Sequence, residues 1–96
     1  MAQSFPPGRG GLADQLRRAS TSVCLNIAEG AGEFSPAEKA RFYGVARRSA
    51  TESAAVLDIC RAIAIGEEPT LAAGDALVLR IVLMLTKMVV RTAPRA

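Results

Sequence analysis

The chain has 96 residues, half of them apolar and only 4% aromatic. That length fits one small domain, and a core built from Ala, Leu, Ile and Val suits closely packed helices better than a sheet. The sequence has no His, which removes the usual proton carrier near neutral pH and the commonest metal ligand. A formal charge of +3 and a pI of about 9.4 permit contact with a polyanion without demanding it.

Residues 1–11 carry Pro6, Pro7, Gly8, Gly10 and Gly11 and are expected to form a flexible lead-in to a single helical domain over 12–96. They lack the apolar run of a signal peptide. A first helix is expected over about 12–30, with Leu12, Leu16, Ala19, Val23 and Ile27 at helical spacing and Gly30 just past its end. On the helical wheel Gln15, Ser22, Asn26 and Glu29 share a sector of about 60° bordering that apolar stripe. Partly buried polar groups need partners, at about 1–3 kcal/mol each if left without.

Ser35-Pro36 opens the second helix, over 36–65, with Ser35 as the cap and Glu38 placed to close a capping box. Its apolar stripe runs through Phe42, Val45, Ala46, Val56, Leu57, Cys60, Ile63 and Ala64, is interrupted in the middle by Ser49 and Ser53, and stops at Gly66. Arg41, Arg48 and Glu52 flank this stripe. They are the expected partners of the polar line, in a network of Gln15, Ser22, Asn26, Glu29, Arg41, Arg48 and Glu52. Such a network fixes helix register or lines a binding groove. A catalytic use of Glu29 and Glu52 as paired carboxylates is the remaining reading.

The third helix, over 71–92, is apolar on most sides, apart from Arg80, Lys87 and Arg91, which fall within about 40° of one another. Two other helices of the chain cannot cover such an element. Burial in an oligomer interface through Leu77, Val78, Val82, Leu85 and Val89, or against a helix absent from this chain, is therefore expected. The run 77–90 is too short to span a bilayer and is broken by Arg80 and Lys87. Cys24 and Cys60, without CxxC spacing, read as buried free thiols. Arg17 and Arg18, Arg47 and Arg48, and Arg80, Lys87 and Arg91 are candidate phosphate contacts. Solvated faces and ion pairs to Asp14, Glu52 and Asp58 are the plainer reading, and no aromatic residue is interleaved for base stacking. Tyr43 is expected in packing or at an interface.

The block "LADQLRRASTSVCLNIAEG" resembles L-x-x-Q-L-R-R-A-x-x-S-I/V-x-x-N-I-A-E-G. That pattern is characteristic of the four-helix-bundle proteins encoded in intervening sequences of bacterial large-subunit (23S) ribosomal RNA genes, which are related to accessory proteins of diversity-generating retroelements. "RFYGVARRSATE" is similar to the family's R-F-L-x-x-A-x-G-S-x-x-E, with Arg48 in place of the common Gly, and Phe5-Pro6 matches the turn before the first block. Family members usually carry a further helix before that turn, and this chain begins almost at it. The resemblance leaves open a truncated start or a three-helix subunit.

The resemblance implies an all-α, up-and-down antiparallel bundle without enzymatic activity or cofactor, assembled into a homo-oligomer, commonly a pentamer. For the retroelement relatives it implies binding to a reverse transcriptase and to RNA or DNA. The expected protein is a cytoplasmic, oligomeric assembly or binding module that does not enter membranes. Its alternatives are a nucleic-acid or reverse-transcriptase accessory factor and a small enzyme using Glu29 and Glu52.

Overall fold

Two short connections set the architecture. In the computed structural model, which describes residues 10–93, helix α1 covers Gly10–Gly32, α2 Pro36–Ala62 and α3 Glu68–Thr92. No strand and no fourth helix occur among the described residues. Ser22 meets Ser49 and Gly30 meets Lys39, while Arg47 reaches Thr86 and Arg61 reaches Asp75. In both series one residue number rises as the other falls, so each neighbouring pair of helices is antiparallel. Helix α2 lies in the middle. The backbones of α1 and α3 both approach it but not each other, and the bundle measures 47 × 19 × 17 Å.

The helix limits differ from those expected, each for a local reason. Gly10 and Gly11 belong to α1 rather than to the lead-in, whose residues 1–9 lie outside the described part. At the other end α1 continues through Gly30 to Gly32. Lys39 supports this last turn, its Nζ donating to the carbonyls of Gly30 and Ala31 at 3.2 Å each. Helix α2 ends at Ala62, short of residue 65, because Ala64 turns left-handed with φ 58°. Ile65 N–H then donates back to the Cys60 carbonyl at 2.8 Å and Ala64 N–H to that of Arg61 at 3.3 Å, a Schellman closure. Burial of the Ile65 side chain beside Cys60 and Leu71 offsets the strain of a left-handed alanine. Helix α3 starts earlier than expected, at Glu68, since Pro69 is harmless in a first turn.

Ser35 caps α2 as expected, its Oγ accepting from Glu38 N–H at 3.3 Å. The Glu38 carboxylate does not close a capping box. It turns forward to Arg41, with Nη2 at 2.8 Å.

The core has two halves. Leu16, Val56, Leu57, Cys60, Ile65 and Leu71 fill one end. Val23, Tyr43, Ala46, Ala50 and Leu85 fill the other. Ala46 and Ala50 are almost fully buried, and such small residues let α3 approach the centre of α2 closely. Tyr43 packs over Gly30, where a Cβ would lie only 2.6 Å from Tyr43 Cε1. Gly30 is thus a point of close helix approach, not a terminator.

Candidate interaction surfaces

The polar line of α1 does find partners on α2, by a shorter route than expected. Asn26 Nδ2 donates to the Ser22 carbonyl at 2.8 Å and to Ser22 Oγ at 3.1 Å. Ser22 Oγ in turn meets Ser49 Oγ at 2.7 Å across the helix pair. Ser53 Oγ donates to the Ser49 carbonyl at 3.1 Å. Serine hydroxyls are short, so this ladder holds α1 and α2 close together. Every fully buried side-chain polar atom among the described residues has a partner.

The longer side chains expected in that network lie elsewhere. Arg41 pairs with Glu38, which raises its pKa, chiefly through the hydrogen bond. Glu29, Arg48 and Glu52 are exposed and take no side-chain hydrogen bond among the described residues. Nor are Glu29 and Glu52 brought together. Antiparallel register sets Glu52 beside Ser22 and Gln15, about three helical turns from the level of Glu29.

Gln15, Arg18, Ser22, Ser49 and Glu52, with Ala19, Val56 and Ile59, line an open groove of mixed polar and apolar character, about 550 Å³, on the outer side of α1 and α2. A second groove lies on the opposite side, where α1 and α3 straddle α2. Ala50, Ser53 and Leu57 form its floor, Leu16, Val23 and Cys24 one wall, and Gly74, Leu77, Val78 and Ile81 the other. Its volume is about 380 Å³ and its lining is predominantly apolar.

The residues expected at an oligomer interface divide. Leu85 is only 1% exposed and packs inside the subunit, with Val78, Val82 and Val89 half-buried against the same cluster. Leu77 stands exposed on the groove wall. The solvent-facing apolar residues of α3 are Leu77, Leu79, Leu83, Met84 and Val90. Residues whose spacing matched the inner stripe could not be told from the outer ones, because most positions around the helix read apolar.

The basic residues do not form one footprint. Arg17 pairs with Asp14 at 3.2 Å and Arg18 faces the polar groove. Arg47 Nε donates to Thr86 Oγ1 at 2.8 Å, and Arg48 projects from α2 into solvent. Arg80, Lys87 and Arg91 are exposed along α3 and in no ion pair among the described residues.

Arg61 escaped notice in the sequence. It joins the C-terminal turn of α2 to α3 through Glu68 at 3.0 Å and Asp75 at 2.7 Å, with Asp58 at 3.5 Å. The hydrogen bonds it donates to Glu68 and then to Asp75 push its pKa further up. An i, i+7 and i+14 set across a turn has no local sequence signature.

Cys60 is buried, and burial pushes its thiol pKa up. Cys24 corrects the expectation of two buried thiols: it is exposed, on the groove wall. Among the described residues no cluster of His, Cys, Asp or Glu could hold a metal ion, and no helix is long and apolar enough to cross a membrane.

The profile of the 23S rRNA-intervening sequence protein family matches residues 1–87. No curated protein and no solved structure matches the chain significantly.

Proposed function

This chain belongs to the 23S rRNA-intervening sequence protein family, and we propose that it is a non-enzymatic, homo-oligomeric assembly module whose subunits meet through the groove between α1 and α3. The observation that carries this reading is the groove itself. It is an apolar trough with Leu77 exposed on its wall, on a subunit too small to spare that surface from its own core. A second copy supplies a helical surface of matching chemistry. The resemblance to ring-forming relatives supports five subunits, and the proposed working compartment is the cytoplasm. The separation of Glu29 from Glu52 supports a role without acid–base catalysis.

Light scattering with an Asp substitution in the groove tests the proposal. The parent chain should run as a single species at a multiple of 10.1 kDa. Leu77→Asp should shift it towards the monomer with its helical circular dichroism intact. A parent that is monomeric at micromolar concentration overturns the reading, and so does an assembly that Leu77→Asp leaves unchanged.

A further inference from the structure

Helix α3 carries two apolar seams. The inner one, Leu71, Val78, Val82, Leu85 and Val89, is consumed by the core. One residue further on, Ala72, Ala76, Leu79, Leu83, Thr86 and Val90 are spaced alternately by four and three, which is the heptad repeat of a coiled-coil seam. All but Thr86 are exposed, with Leu79 at 59% and Val90 at 71%. A shift of one residue turns this outer seam by about 100° from the inner one, away from the α1 groove. It extends about 27 Å at the rise of an α-helix, enough for five turns of a partner helix.

The charges around the outer seam select that partner. Arg80 and Lys87 each follow a seam residue by one position, where coiled coils place the charges that choose a partner. On the other flank Arg47 reaches over from α2 to Thr86, itself a seam residue. The acids of α3, Glu68 and Asp75, lie at its N-terminal end and are held by Arg61. The C-terminal two-thirds of the seam is therefore apolar but for Thr86, with Arg80 and Lys87 along one side and Arg47 of α2 on the other.

We infer that the outer seam of α3 is a docking surface for an amphipathic helix of another protein, one with an apolar stripe at heptad spacing flanked by Asp or Glu. A second copy of the same helix fits poorly. Antiparallel pairing sets Arg80 and Lys87 against their own counterparts. Parallel pairing offers Arg80 an Asp75 already taken by Arg61, and offers Lys87 only Val82. A nucleic acid also fits poorly, because phosphates would satisfy the cations but leave Leu79, Leu83 and Val90 in water, and α3 has no aromatic residue for stacking. This surface is distinct from the α1–α3 groove, so it stands apart from the assembly proposed above.

The test uses the full chain and two fluorescent designed helices with Leu at the a and d positions, one flanked by Glu and the other by Lys. Anisotropy should show the Glu helix binding about tenfold more tightly than the Lys helix, from two or three charge contacts changing sign. Arg80→Glu with Lys87→Glu should invert that preference. Leu79→Asp with Leu83→Asp should abolish binding of both helices, while Leu77→Asp in the groove leaves it intact. All these positions are exposed, and circular dichroism checks that the fold survives.

Four results overturn the inference. The first is equal binding of the two helices, or none. The second is binding that survives Leu79→Asp with Leu83→Asp. The third is dissociation of the parent's own assembly by that pair, which would show that a second copy covers the seam. The fourth is an RNA oligonucleotide held by Arg80 and Lys87 but indifferent to Leu79 and Leu83.

Discussion

Gly30 and Tyr43 fit each other across the α1–α2 interface: the tyrosine ring lies where a β-carbon on residue 30 would have to go, 2.6 Å from Cε1. Alanine ordinarily stabilises a helix by about 1 kcal/mol over glycine. Here the sign should reverse. Gly30→Ala must displace a buried aromatic ring, and we expect a net loss of about 1–3 kcal/mol, read as a lower midpoint in urea. The same change at Gly32, which has open space around it, is the control and should not destabilise.

Ala64 gives the opposite expectation. Its φ of 58° is comfortable only for glycine. Ala64→Gly removes that strain but frees the unfolded chain, so the net gain should be about 0.5–1 kcal/mol. A thermal midpoint that falls on this substitution would mean that α2 does not end as described.

The serine ladder predicts an order of effects. Ser49 is buried and its hydroxyl is the bridge to α1. Ser49→Ala removes the hydroxyl bridge between the helices, leaving Ser22 Oγ with its bond from Asn26 alone, and should destabilise by about 1–2 kcal/mol. Asn26 is half-exposed and bonds within its own helix, so Asn26→Leu should cost about 0.5–1 kcal/mol. Denaturant titration of the two variants checks the ranking, and the reverse order would place the register-setting contact at Asn26.

The two thiols should behave differently. Cys60, buried with a raised pKa, should resist a maleimide until the chain unfolds. Cys24 lines the groove and should react readily in the Leu77→Asp variant. In the parent it should be shielded by the neighbouring subunit. Mass spectrometry after timed labelling separates these rates, and fast modification of Cys24 in an intact assembly would place the interface elsewhere.

Much of this fold can be read from residue spacing. Leu12, Leu16, Ala19, Val23 and Ile27 mark the buried side of α1, and Ser35-Pro36 marks the start of α2, because helical period and capping chemistry are local. The limits near Gly30 and Ala64 could not be read that way. Gly30 answers to Tyr43 on another helix, and Ala64 is held left-handed by the burial of Ile65, both tertiary demands that override local preference. The polar surface was legible in part. Ser22 and Asn26 stood out by their wheel position, but Ser49 looked like an interruption of a stripe, because a hydroxyl can pass for either a defect or a partner until its opposite number is known. On α3 a uniformly apolar circumference concealed which residues turn inward.

Among the described residues, α2 is the only helix whose backbone comes close to both of the others. Either outer helix can therefore peel away while the remaining pair stays zipped, and the amides of α1 and α3 should exchange with deuterium through such partial openings sooner than those in the middle of α2. A body that wedges between α1 and α3 changes this hierarchy. It ties the two outer helices more tightly into one cooperative unit, so that occupancy of the trough becomes visible as slowed exchange in α1 and α3 at once.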